Sequence, residues 1–169
     1  MDLGPPPLFS LINLKRKAHF RNSKQVMHIK NCYHLLIWRG KLLFRFNDGK
    51  PFPYLINQRT KFIKKLTTYI FLGEFENKNV FLWDMSDSRD VLGNTGQIGS
   101  FNDADRNYHP DLPKGTYFCD LRNLLPVLNS KYANLCATAK GMYEWHKRVN
   151  FCQSCGGKLS SEKAGWEKT

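Results

Sequence analysis

The chain has no long apolar run, few acidic residues and an odd handful of cysteines, and each shortage excludes something. No stretch approaches the roughly 18 apolar residues a membrane-spanning helix requires, so no membrane is expected as a partner. The opening apolar stretch is broken by Pro5, Pro6 and Pro7, and Lys15, Arg16 and Lys17 follow it; a secretory signal carries its charge first. Five cysteines at uneven spacing do not make a disulfide framework. They point to a reducing compartment: cytoplasmic, or mitochondrial or peroxisomal if the source is eukaryotic. Only 14 Asp and Glu stand against 26 Lys and Arg, and they are scattered, whereas a magnesium site acting on phosphates needs converging carboxylates. No phosphate-binding Gly-x-x-x-x-Gly-Lys loop and no Gly-x-Ser-x-Gly elbow is present. The residues themselves show no means of catalysis.

What is there suffices for one folded domain. The chain has 169 residues, 41% hydrophobic and 14% aromatic, which can bury a core. Charge is uneven. Residues 1–80 hold fifteen Lys and Arg against four Asp and Glu, a net +11 of the total +12. Such a half suits an acidic partner such as RNA, through residues including Lys15, Arg16, Lys17, Lys61, Lys64 and Lys65; it also suits a chain that is merely rich in lysine.

Residues 1–30 read as a disordered basic tail, with an organelle presequence as the alternative. Residues 31–128 read as a domain. Tyr33 to Trp38 and Leu42 to Phe46 form a predicted hairpin around Arg39-Gly40, and Asn47 to Pro51 is a loop. Thr67 to Gly73 and Val80 to Met85 form a second hairpin. Residues 86–115 are a long Gly-, Pro- and Asp-rich loop. Asp103, Asp105 and Asn107 resemble the start of a calcium loop, but Tyr108 and Lys114 stand where its glycine and glutamate belong. Residues 129–150 form a connecting helix with Ser130 as N-cap and a stripe of Tyr132, Leu135, Cys136, Ala139, Met142, Tyr143 and His146. The order implies an α+β fold: a small antiparallel sheet of hairpins, then helices.

The sharpest signal is Phe151-Cys152-x-x-Cys155-Gly156. Two thiolates at this spacing in a glycine turn make half of a zinc ribbon; a redox pair and chance spacing are the alternatives. A structural zinc needs four ligands. His146 is a candidate third ligand, or else it packs with Trp145 against the knuckle. With only half a site, residues 158–169 are expected to lack a closing strand and to be mobile. Cys32, Cys119 and Cys136 read as small buried hydrophobes, and Trp38, Trp83 and Trp166 as core.

Taken in order, Trp38-Arg39-Gly40-Lys41, Phe71-Leu72-Gly73, Val80 to Asp84, Leu121-Arg122, Ala133-x-Leu135-x-Ala137-x-Ala139-x-Gly141, Trp145-His146, Phe151-Cys152-x-x-Cys155-Gly156 and Gly165-Trp166 resemble the NADH pyrophosphatase family of Nudix hydrolases. The resemblance spans about residues 33–169 and covers that family's non-catalytic N-terminal domain and the start of its zinc ribbon. It implies Cys152 and Cys155 as two of four zinc ligands, with the third falling directly after Thr169. The family hydrolyses NADH and NAD+ to nicotinamide mononucleotide and AMP, removes NAD caps from RNA, uses magnesium or manganese at a Nudix box, and forms homodimers. This sequence contains no such box, so no catalytic residue carries over. The chain is expected to be a fragment, a split gene or a truncated product, inactive alone. A basic RNA-binding or dimerisation module with a zinc knuckle is the competing expectation.

Overall fold

All residues of Cys32–Trp38 but Tyr33 are buried, so this strand, β1, must be covered on both faces. It lies in the middle of a six-stranded sheet in a computed structural model that describes residues 7–9, 13–22, 26, 31–58, 60, 62–93 and 105–169. The other strands are β2 (Lys41–Asn47), β3 (Lys50–Pro53), β4 (Tyr69–Phe75), β5 (Lys78–Asp84) and β6 (Thr116–Cys119). The order is β3-β2-β1-β5-β4, with β6 on the other side of β2.

Three two-residue turns build the hairpins. Arg39-Gly40, Asp48-Gly49 and Glu76-Asn77 all have positive φ at both positions, as the type I′ turn demands. The hairpin closed by Asp48-Gly49, between β2 and β3, was not expected. Asp48-Gly49 is a strong hairpin signal, but Pro51 and Pro53 argue against a strand; they are tolerated because β3 lies at the end of the strand order. The α+β class stands, but the sheet is mixed. β1 and β5 run parallel from Cys32↔Asn79 to Ile37↔Asp84, a pairing that no local pattern announces.

One face of the sheet carries Leu35, Ile37, Leu42, Phe44, Leu72 and Leu82. It packs on two helices, the short α1 (Leu121–Leu124) and the long α2 (Ser130–Arg148). Ala133, Cys136 and Ala139 are fully buried on α2, and their small size lets the helix approach closely. Its N-cap is Asn129, whose Oδ1 accepts from the Lys131 N–H at 2.9 Å, one residue before the expected Ser130. The other face carries Leu36, Trp38, Phe71, Phe81, Trp83 and Phe118, and irregular chain around Ile63, Val91 and Leu112 covers it. Cys32, Cys119 and Cys136 are buried as expected, and burial pushes the Cys136 thiol up to about 12. Trp38 and Trp83 are core, and the Trp83 indole donates to His34 Nδ1 at 3.0 Å.

Part of the supposed tail is structured. Residues 1–6, 10–12, 23–25 and 27–30 lie outside the described residues, but residues 13–22 pack against β4. Leu14 is buried, and Lys15 and Glu74 exchange backbone hydrogen bonds of 2.9 and 2.7 Å. Lys15 and Lys17 both pair with the Glu74 carboxylate, which they hold below the usual carboxylate range, Lys17 chiefly. This contact needs Gly73, at φ +137° in a bulge of β4, where a Cβ would run into the Lys15 carbonyl. Gly73→Ala is therefore expected to cost about 1–3 kcal/mol, read as a lower urea midpoint. A loss under about 0.5 kcal/mol would show that residues 13–17 do not pack here.

Candidate metal-binding knuckle

α2 delivers the chain to its thiol pair. The last carbonyls of the helix are capped by a lysine from further along: Lys168 Nζ donates to His146 O at 3.1 Å and Val149 O at 2.6 Å. The chain then folds back on itself. Leu159 N–H donates to Asn150 O, Cys152 N–H to Gly157 O at 2.8 Å, and Gly156 N–H to Cys152 O at 2.9 Å. Gly156 sits at φ +72°, which closes the turn.

Cys152 is half-buried and Cys155 exposed. Backbone N–H groups of Cys155 and then Ser154 point at the Cys152 sulfur and hold its thiol below the ordinary value. The turn thus favours a thiolate, the form that ligates metal. Among the described residues no three His, Cys, Asp or Glu side chains converge on a metal position. A tetrahedral zinc site takes four donors, and the two thiols are two donors of the kind it uses. Asp103, from the rejected calcium pattern, lies outside the described residues, and Asn107 is buried as an acceptor for Lys41 Nζ at 2.8 Å.

His146 is engaged elsewhere: its Nε2 donates to the Gly165 carbonyl at 2.7 Å. Its ring meets Trp145 edge-on at 5.0 Å.

Residues 158–169 do find a closing strand, contrary to expectation, because the segment supplies its own. β7 (Ser161–Glu162) pairs with β8 (Glu167–Lys168), and Ser160 and Thr169 exchange backbone hydrogen bonds. Lys163, Ala164 and Gly165 all have positive φ in the turn between them. This hairpin docks on β4. A Cβ on Gly165 would meet Ile70 at 2.9 Å, and the Trp166 indole donates to the Phe71 carbonyl. The Arg21 guanidinium lies 3.6 Å from the Trp166 ring centroid. The role of Trp166 in docking was not visible in the sequence, since its partners lie far away along the chain.

Fold and knuckle together define a small α+β domain with a thiol pair beyond the end of its last helix. The model of the family described as the NADH pyrophosphatase-like rudimentary NUDIX domain matches residues 32–145, about two-thirds of the chain. The chain belongs to that family. The matched region runs from β1 nearly to the end of α2 and stops before Cys152 and Cys155. Comparison with curated proteins finds no match.

Burial, aided by the Lys168 charge, lowers the His146 pKa, against the pull of the Gly165 hydrogen bond and of Asp84. The folded state then binds this proton less readily than the unfolded chain. Stability should be full above the unfolded value of about 6.5 and fall as pH drops through the lower folded value. His146→Gln, which keeps a donor but does not titrate there, should weaken that fall between pH 7.5 and 5.5 in urea melts, against wild type at about the same two pH values. Parallel curves would show that another group carries the dependence.

Proposed function

We propose that this chain serves an NAD(H) diphosphatase as its non-catalytic portion: a Nudix-like domain and a zinc knuckle accompanying a magnesium- or manganese-dependent catalytic Nudix domain. The substrates of that enzyme are NADH and NAD+, and the NAD cap of RNA. The observation that carries the reading is continuity. The family match reaches residue 145, and Cys152 follows on the same helix end in a turn that favours a thiolate. Cys152 and Cys155 would hold zinc, whose contribution is to lock the ribbon's fold. The remaining two donors come from a further segment or from a second copy, which fits a homodimer.

The acidic residues support a non-catalytic role. Among the described residues, several stand in separate ion pairs: Glu74 with Lys15 and Lys17, Asp84 with Lys147, Asp120 with Arg122, Glu76 with Lys131, and Glu144 with Lys140 and Arg148. The cysteines, all unbridged, suit a reducing cytoplasmic setting.

The 169-residue chain should release no AMP from NADH with magnesium or manganese in excess. It should bind zinc weakly as a monomer, or tightly only as a dimer that joins two knuckles. Metal analysis with light scattering separates these outcomes. Chelator-sensitive turnover, or one tightly held zinc per monomer, would overturn the reading.

A further inference from the structure

We propose that the second face of the sheet carries a preformed cleft for a free aromatic amino acid, with the ring inside and the ammonium and carboxylate at the mouth. The cleft measures about 390 Å³ and is walled by Tyr54, Ile56, Phe62 and Leu112. Cavities that take small molecules run from about 300 to 1,000 Å³, so this one suits a ligand with a single ring. The four wall residues pack against the core of this face but are only partly buried. They leave apolar surface turned to the cleft, and an apolar group that fills it removes that surface from water. Two of the four are rings. Ring pairs add to plain burial, which selects an aromatic side group over an aliphatic one of like size.

The walls are fixed before a ligand arrives. The Tyr54 N–H donates to Leu43 O at 2.9 Å, and Ile56 and His34 exchange backbone hydrogen bonds of 2.9 and 2.8 Å. Phe62 precedes the fully buried Ile63, whose N–H donates to Thr60 Oγ1. The Phe62 ring meets that of His109 edge-on at 4.8 Å. His109 is itself buried; its Nδ1 accepts from the Asp111 N–H and its carbonyl from the Leu112 N–H, both at 3.1 Å. One buried residue thus holds the Phe62 wall and the Leu112 wall together. A ligand need not order either of them on binding.

Charge specifies the rest of the ligand. Lys65 and Asp111 are the two charged side chains among the described residues that line the cleft. They form no ion pair with one another or with any other described residue. Lys61, next to Thr60, lies outside the described residues. A cation and an anion held apart at one cleft match a molecule that carries both charges, its carboxylate toward Lys65 and its ammonium toward Asp111. A phosphate ester fits poorly, since its two negative charges would meet Asp111 as well as Lys65. A free aromatic amino acid carries the ring and both charges on one small frame.

The inference does not rest on the diphosphatase reading, and its test is independent of zinc. Phenylalanine is titrated into the isotope-labelled full chain with chelator present, and amide chemical shifts are followed. Saturable shifts centred on Phe62, Asp111 and Leu112 are expected, with a Kd on the order of 1 mM for a ligand of this size. Leucine, which lacks the ring, should bind about threefold more weakly. So should phenethylamine and 3-phenylpropionate, which keep the ring and one charge each. Lys65→Gln should erase the advantage of phenylalanine over phenethylamine, and Asp111→Asn its advantage over 3-phenylpropionate. Phe62→Ala should weaken phenylalanine about tenfold. Lys158→Gln, on the exposed knuckle, should leave binding unchanged. Circular dichroism melts check that each variant folds, and the two charge variants carry the test if Phe62→Ala does not. No saturable shift at about 20 mM phenylalanine, shifts centred elsewhere, or equal binding of N-acetylphenylalaninamide, which keeps the ring and loses both charges, would overturn the proposal.

Discussion

The parallel contact between β1 and β5 is the constraint on which the rest depends. Strands buried on both faces pair stably in parallel, but such strands cannot be joined by a tight turn. The 39 residues between Trp38 and Lys78 must leave the sheet and return. They do so by forming β2 and β3, crossing the second face through Ile63, and re-entering as β4. The hairpin partner of β5 is then left at the edge, because the other side of β5 is occupied by β1.

An open edge exposes unpaired backbone groups and invites foreign strands. Here β4 is covered by the two segments that flank the domain in sequence. Lys15 takes both backbone bonds of Glu74, and Trp166 takes the carbonyl of Phe71. The two coverings also meet: Arg21 stacks on Trp166. The first basic segment and the hairpin after the cysteines therefore stabilise one another through an edge strand that belongs to neither. The thiol turn itself is held from both ends, by α2 on one side and by Lys168 reaching back to the carbonyls of that helix on the other.

How much of this was legible follows from the range of each signal. The strands β1, β2, β4 and β5 and the helix α2 carry apolar patterns of seven or more residues, and all were readable to within a residue or two. β6 has four residues at the end of a loop rich in glycine and proline, too short for its alternation to stand out. β3 was hidden by its prolines. The parallel register and the edge coverings join residues dozens of positions apart, for which a single sequence carries no period. In the knuckle, the Cys-x-x-Cys-Gly spacing was plain because the chemistry is local. His146 was not decidable from spacing, since its alternative partner, Gly165, appears only when the hairpin folds back.

Charge shows the same division between composition and arrangement. A net +11 over residues 1–80 reads as one field, but its cations do several unlike jobs. Lys41 is buried and holds the backbone of Asp105 and the side chain of Asn107, fixing the loop over the second face. Lys15 and Lys17 neutralise Glu74 and tie an edge. Lys78 lies over the ring of Tyr33 at 4.6 Å. Each such contact fixes a cation in place, but only the Glu74 carboxylate offsets charge, one unit against the two of Lys15 and Lys17; Lys41 and Lys78 have neutral partners and keep theirs. The field outside the molecule is therefore set by where the fold fixes each cation and not by the count alone. Arg45 beside Tyr54 and Arg106 beside Tyr117 take their places where β3 and β6 flank β2, two strands that local patterning does not reveal.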